Sequence, residues 1–142
     1  GDFEIKFLTS HPKDLSDDLI RAIATLPKLS HRLHLPAQSG DDQILKKMNR
    51  GYTVEDYFKL VKKLRSKIRD LFLTTDIIVG FPGESRGAFQ NTIDLVKKAQ
   101  FERAYVSQYS SRPGTAAEKF KDNVSPKEKK RRWRLLDQLI NH

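Results

Sequence analysis

The 142 residues are 37% hydrophobic and 32% charged, with 27 Lys and Arg against 18 Asp and Glu, a formal charge of +9. That balance suits one globular domain with a wet, basic surface, and no run of 18 apolar residues is present to span a membrane. Cysteine is absent, which excludes disulfides, thiolate nucleophiles and Cys-ligated zinc or iron–sulfur clusters held by these residues.

The opening GDFEIKFLTS lacks the basic, apolar, then small layout of a secretory signal, which favours the cytoplasm. It also lacks an initiator methionine, so the chain is expected to be a piece of something longer. The excess of positive charge points either to a polyanionic partner, nucleic acid first, or to a surface that only keeps the protein soluble.

In chain order, FEIKFLT (3–9) reads as a strand. SDDLIRAIATL follows, with Ser16 as N-cap and Leu19, Ile20, Ile23 and Leu26 on one helical face. HRLHLPA (31–37) is the second strand, after which Asp41 caps a short helix striped by Ile44, Leu45 and Met48. Beyond a glycine turn, Thr53 and Asp56 resemble a capping box opening a helix that carries Tyr57, Leu60, Val61, Leu64 and Ile68. LFLTTDIIVGF (71–81) is the third strand, followed by a helix marked by Phe89, Ile93 and Val96. AYVSQYS (104–110) is the fourth, and residues 115–128 are linker-like. Ser125, Pro126 and Glu128 stand at the N-cap, first and third positions of a last helix aligned on Trp133, Leu136 and Ile140. The order β-α-β-α-α-β-α-β-α specifies an α/β fold with right-handed crossovers and a parallel sheet, either an open doubly wound sheet or an arc of a (β/α) barrel.

In both architectures ligands lie at the C-terminal strand ends. Here those ends read TSHPKD (9–14), HLPAQSGDD (34–42), DIIVGFPGES (76–85) and SQYSSRPGT (107–115), each joining a bend to side chains that hydrogen-bond. Gln38 offers a donor and an acceptor, to a sugar, to a base edge or to the loop's own backbone. Asp76, inside an apolar strand, needs a partner, structural or ligand. Gly80, Pro82 and Gly83 let backbone approach a flat ligand or simply turn the chain. Arg50 can clamp a carboxylate or lie solvated. His11 and His34 stand at successive strand ends, but no His-x-His or His-x3-His spacing accompanies them, so no metal site is expected. Lys127, Lys129, Lys130, Arg131, Arg132 and Arg134 surround Trp133 on a basic helix, as phosphate contacts or as a wet face, with Trp133 itself on the apolar stripe.

HLPAQSGDDQILKKMNRGYT, TTDIIVGFPGES and YSSRPGTAA resemble, in order, the radical S-adenosylmethionine methylthiotransferases, and the resemblance runs from LTSHPKDLSDDLI to KRRWRLLDQL. HLPAQSG and MNRGYT look most like the branch acting on an adenosine beside the tRNA anticodon. Ser39 stands where the branch acting on a ribosomal protein usually has histidine, and a third branch acts on a differently modified tRNA adenosine. The resemblance implies that residues 1–142 are the C-terminal portion of a TIM-like partial barrel (four βα units, with 125–142 a basic helix). It implies two 4Fe–4S clusters elsewhere in a full enzyme, S-adenosylmethionine as cofactor, tRNA as partner and a flavodoxin- or ferredoxin-like reductant. Gln38 would meet the ribose, Arg50 the methionine carboxylate, and Asp76 the ribose or the substrate. The backbone around Gly80, Pro82 and Gly83 and at Tyr109, Ser110 and Ser111 would border the adenine, with Ser39 and Arg112 shaping the pocket. The family's cluster-binding cysteines have no counterpart here, nor does its terminal RNA-binding β-domain, so no catalytic residue is expected in this chain and none of the activity from it alone. A non-catalytic basic α/β RNA-binding module is the alternative from another class. A (β/α) enzyme of phosphate-bearing substrates lacks support, since no phosphate-cradling glycine loop is visible. Unpaired strand edges, above all at 3–9, predict self-association of the isolated piece.

Overall fold

A computed structural model describes residues 8–9, 11–25, 31–111 and 121–141, for residues 8 and 9 the backbone alone. Its elements are β1 (Leu8–Thr9), a 3-10 turn (Pro12–Asp14), α1 (Asp17–Thr25), β2 (Arg32–His34), α2 (Asp42–Lys47), α3 (Val54–Lys67), β3 (Phe72–Val79), α4 (Arg86–Ala99), β4 (Arg103–Gln108) and α5 (Pro126–Ile140). The four strands lie in the order β1-β2-β3-β4, every pair parallel. Helices pack in the same sequence, α1 on α3, α3 on α4 and α4 on α5.

This order decides between the two architectures. A doubly wound sheet reverses its strand order and carries helices on both faces, whereas a barrel arc advances one strand at a time with helices outside. Along β3, Leu73, Thr75, Ile77 and Val79 are at most 1% exposed. Leu73, Ile77 and Val79 share a core with Leu33 and Leu35, with Ile20 and Ile23 of α1, Tyr57, Val61 and Leu64 of α3, Phe89, Ile93 and Val96 of α4, and Leu136 of α5. The alternate row includes Arg32, Phe72, Asp76, Ile78, Arg103, Tyr105 and Ser107, all exposed or half-buried, with His34 and Thr74 buried among them. Strand periodicity therefore buries one face under helices and leaves the other open, as on the inner wall of a barrel.

Local chemistry sets the helix starts. Ser16, Asp41, Thr53, Ser85 and Ser125 each accept a backbone N–H of the first turn that follows, and at Thr53 the Asp56 carboxylate returns the bond, completing a capping box.

Several boundaries differ from the sequence reading. The second strand stops at His34 rather than residue 37, because Pro36 brings no N–H to the ladder. The chain rejoins the sheet at Gln38, which bridges to Ile77. The third and fourth strands are Phe72–Val79 and Arg103–Gln108. Residues 3–7 of the first expected strand, Leu26, and 115–120 of the linker-like stretch lie outside the described residues.

The free edge of β4 is covered. Trp133 Nε1 donates to Val106 O at 2.6 Å, while Asn141 takes the Ala104 N–H at 3.1 Å and donates to Ala104 O at 2.9 Å. Backbone groups that a neighbouring strand would otherwise pair are satisfied by α5 and its cap residue.

Candidate functional site

The site is built where the strands end. Gln38 N donates to Asp76 O at 2.8 Å and Ile78 N to Gln38 O at 3.0 Å, so the loop after β2 is tied to the middle of β3. Gln38 holds this position at φ +71°, a left-handed backbone unusual for a residue with a side chain. The Tyr52 hydroxyl bonds the carbonyls of Pro36 (3.2 Å) and Ala37 (3.0 Å), which anchors the Arg50–Tyr52 turn beside that loop. Burial drives the Tyr52 hydroxyl up to about 12, so it remains a donor. At the other end, Tyr109 N continues the β3–β4 ladder to Val79 O (2.8 Å), with the Tyr109 ring set edge-on to Phe81 at 5.2 Å. Ile44, Met48, Phe81, Ala88 and Tyr109 form a small apolar cluster apart from the main core.

Three buried side-chain atoms lack a hydrogen-bond partner among the described residues: Gln38 Oε1, Arg50 Nε and Glu84 Oε2. Leaving a buried polar atom unsatisfied costs about 1–3 kcal/mol, so each invites an explanation. Two of the three, on Gln38 and Arg50, belong to residues that the sequence already singled out for a ligand.

Asp76 finds its partner in His34, whose Nε2 lies 2.9 Å from Asp76 Oδ2. His34 Nδ1 meets Thr74 Oγ1 at 2.7 Å, and Tyr105 closes on the imidazole edge-to-face at 5.8 Å. Sequence reasoning considered His34 only as a metal ligand and passed over Thr74 and Tyr105. The period-2 pattern that puts His34, Thr74 and Asp76 on one face was the available signal. No cluster of three or more His, Cys, Asp or Glu poised for a metal occurs among the described residues, and His11 instead packs edge-on to Tyr52 at 5.4 Å.

Other expected site residues have local duties. Ser39 is 1% exposed, its hydroxyl accepting from Asp41 N (3.1 Å) and sharing a 3.5 Å contact with Thr92. Gly80 and Gly83 have φ of +76° and +89°, and the space a side chain would need is held by the Lys129 stem and the Lys47 ammonium. What these glycines approach closely is therefore this chain's own lysines. Gly83 N also donates to Asn123 Oδ1 at 2.9 Å. Pro82 is buried, Ser110 and Ser111 are exposed, and Arg112 lies outside the described residues.

Glu84 ties this bend to α5. Its Oε1 accepts from Gly80 N (2.8 Å) and from Arg132 Nη1 (2.8 Å), and Arg132 Nη1 also reaches Glu84 O. Both side chains are at most 5% exposed. Burial raises the Glu84 carboxyl above its ordinary range, because Oε2 is dehydrated with nothing in exchange.

The basic helix is divided by these contacts. Arg132 is buried, and Lys129 is buried with its ammonium on Asp122 (2.6 Å) and Tyr109 O (3.2 Å). Lys127, Lys130, Arg131 and Arg134 stay exposed, Arg131 in an ion pair with Glu128. Half-buried Trp133 packs against the main core.

The family model of the Radical SAM superfamily matches residues 1–96. The chain belongs to the radical SAM superfamily. It is 53% identical over 136 residues to a tRNA-2-methylthio-N(6)-dimethylallyladenosine synthase of Alkaliphilus oremlandii, covering 95% of this chain and 29% of that protein. It is 53% identical over 137 residues to the protein of the same name from Acetivibrio thermocellus, covering 96% and 28%. The chain thus spans less than a third of these radical SAM relatives. Among solved structures, coproporphyrinogen III oxidase (HemN) of Escherichia coli, described as a radical SAM enzyme, superposes with a TM-score of 0.78 over 95% of this chain and 31% of that one, at 21% identity. Elp3 of Methanocaldococcus infernus gives 0.61 over 79% and 26%, also at 21% identity. These two likenesses bear on the fold, and a partial TIM-like barrel is the fold they share with this radical SAM chain.

Proposed function

We propose that this chain is the C-terminal portion of the catalytic barrel of a tRNA methylthiotransferase, which places a methylthio group on C2 of a modified adenosine beside the anticodon. The observation that carries the reading is identity of 48–53% across nearly the whole chain to proteins that share one name, tRNA-2-methylthio-N(6)-dimethylallyladenosine synthase. The orphaned Gln38 Oε1 and Arg50 Nε fit a polar ligand at the strand ends. Gln38 would accept from a ribose hydroxyl of S-adenosylmethionine, Arg50 would pair with its carboxylate, and the backbone at Gly80–Gly83 and Tyr109–Ser111 would border its base. S-adenosylmethionine on a 4Fe–4S cluster supplies radical chemistry able to break an unactivated C–H bond.

With no cysteine, this chain's own side chains do not fit the clusters, and thiolates for two of them would come from elsewhere in the full-length enzyme. The barrel wall's part is to bind, orient and exclude water. Lys127, Lys130, Arg131 and Arg134, the exposed basic residues of α5, would meet tRNA phosphates. The enzyme would work in the cytoplasm with a flavodoxin- or ferredoxin-like reductant.

The test is the full-length, cluster-loaded protein given reductant, S-adenosylmethionine and tRNA, with nucleosides read by mass spectrometry. The expected product is a methylthioadenosine, and Arg50→Ala should raise the KM for S-adenosylmethionine at least about tenfold, the loss of one charge-assisted contact. Wild-type kinetics in that variant would remove the carboxylate clamp. Modification of a ribosomal protein in place of tRNA would move the enzyme to the other branch.

A further inference from the structure

Period-2 alternation decides what the open face carries at the end where its strands begin. Arg32, Phe72 and Arg103 are the first residues of β2, β3 and β4. Arg32 pairs with Phe72 in the β2–β3 register and Arg103 with Thr74 in the β3–β4 register, so all three stand on that face and the arginines flank β3. Strand spacing sets the two about 10 Å apart across the sheet and two residues, about 7 Å, along it. The Arg32 guanidinium lies 4.7 Å from the centre of the Phe72 ring. Both arginines are exposed and Phe72 is half-buried.

Other arginines of this chain close on carboxylates, Arg65 on Glu102 at 3.1 Å and Arg132 on Glu84 at 2.8 Å. Among the described residues neither Arg32 nor Arg103 has an ion pair. The one carboxylate in the inward row of β2, β3 and β4 is Asp76, and His34 already holds it at 2.9 Å. On the outside of a protein this would mean little, because a solvated arginine gains only about 0–1 kcal/mol from a partner. The inner wall of a barrel is different. Side chains from all its strands fill that interior, and a guanidinium enclosed there without a counter-charge costs several kcal/mol. Four strands make only an arc, and the chain spans less than a third of its relatives, so the counter-charge has ample sequence to come from.

The chemistry of the three residues narrows the occupant. Two guanidinium forks ask for two carboxylates, each able to accept a pair of parallel N–H donors. The half-buried Phe72 ring beside Arg32 asks for an apolar residue next to them. The end where strands begin is the stability end of a barrel, opposite the loops that carry chemistry, which favours a protein segment over RNA. A second copy, itself at +9, is the weaker match to two bare cations.

We propose that Arg32, Phe72 and Arg103 form a docking surface for an acidic segment of the same full-length polypeptide, one that lies outside residues 1–142 and closes the lower end of the barrel with two carboxylates. This rests on the reading that the chain is one part of a longer barrel, and not on the substrate of that enzyme.

The full-length protein carrying Arg32→Lys or Arg103→Lys would be treated with a carbodiimide, which condenses a lysine amine with a carboxylate in direct contact, and digested for mass spectrometry. Each variant keeps the positive charge and should give a cross-link within one molecule to an Asp or Glu outside residues 1–142, the two acids lying in one short stretch. Arg32→Ala and Arg103→Ala should each lower the thermal midpoint of the full-length protein by about 4 °C or more, against about 1 °C or less for Lys130→Ala on the wet side of α5. Absence of that cross-link from either lysine variant overturns the proposal, whatever the midpoints, and so do midpoints within about 1 °C of wild type in both alanine variants. Cross-links between molecules would give the surface to a second copy, and loss of the cross-link on adding an anticodon stem-loop RNA would give it to RNA; each overturns the proposal, as do cross-links confined to residues 1–142. A protein that fails these tests and still forms methylthioadenosine keeps its function and loses only this docking surface.

Discussion

Gln38 shows how one residue can carry a cost that the fold alone does not require. Its φ of +71° would suit glycine, and a residue with a side chain pays about 1–3 kcal/mol to hold such strain. The orphaned Oε1 is a reason to keep it. Gln38→Gly should leave the thermal stability of the 142-residue chain within about 1 kcal/mol, the gain in ease offset by entropy. In the full-length protein the same change should weaken S-adenosylmethionine binding about tenfold by calorimetry, one hydrogen bond's worth. The two glutamates around Arg132 make a second residue-scale test. Hydrogen bonds from Arg131 and Arg132 hold Glu128 at about 2, below its usual 4.5, so its stabilisation is complete above about pH 4.5 and is lost as the pH falls toward 2. Glu84 is displaced the other way by burial: the folded chain binds its proton more readily, and stability declines as the pH rises above about 4.5. Thermal midpoints between pH 2 and 7 should therefore lose their acid-side slope in Glu128→Gln and the decline above pH 4.5 in Glu84→Gln. Parallel curves for both variants and the wild type would contradict this assignment.

At the scale of elements, α5 reads in the sequence as a basic helix and in the fold as a brace. Leu136 is fully buried, Arg132 grips the loop after β3, and Lys129 fills the space beside Gly80. Removing one partner from a buried ion pair leaves the other uncompensated, so Arg132→Ala should cost about 3–5 kcal/mol in denaturant unfolding. Lys130→Ala, on the wet side of the same helix, should cost less than about 0.5 kcal/mol. Near-equal losses would mean that the inward grip is not made. The helix caps were readable because they are local: a side-chain oxygen and a backbone N–H three residues on need nothing from the rest of the molecule. The direction of each basic side chain on α5 was not, because it depends on where Glu84 and Asp122 arrive from elsewhere in the chain.

For the whole molecule, the arc has two different edges. β4 is closed by Trp133 and Asn141, while β1 has no neighbour on its outer side among the described residues. Self-association of the isolated chain should run through the β1 side, and Asn141→Ala should add a second contact by uncovering Ala104. Light scattering should give a larger mean mass for that variant, and equal masses would argue against α5 as an edge guard. Among the described residues no helix is long and apolar enough to cross a membrane.

The sequence by itself determined the element order, the parallel sheet, the helix starts and the four polar strand ends, because hydrophobic period, capping and turn chemistry act within a few residues. It also marked Asp76 as a residue in need of a partner, and Gln38 and Arg50 as candidates for a ligand. Only the tertiary structure decided between barrel arc and doubly wound sheet, since strand order is set by long-range pairing. It alone supplied His34 and Thr74 to Asp76, from positions 42 and 2 residues away that register and pleat bring to one face. And it alone divided the basic helix, because burial of a charge is determined by the partner it meets across the fold.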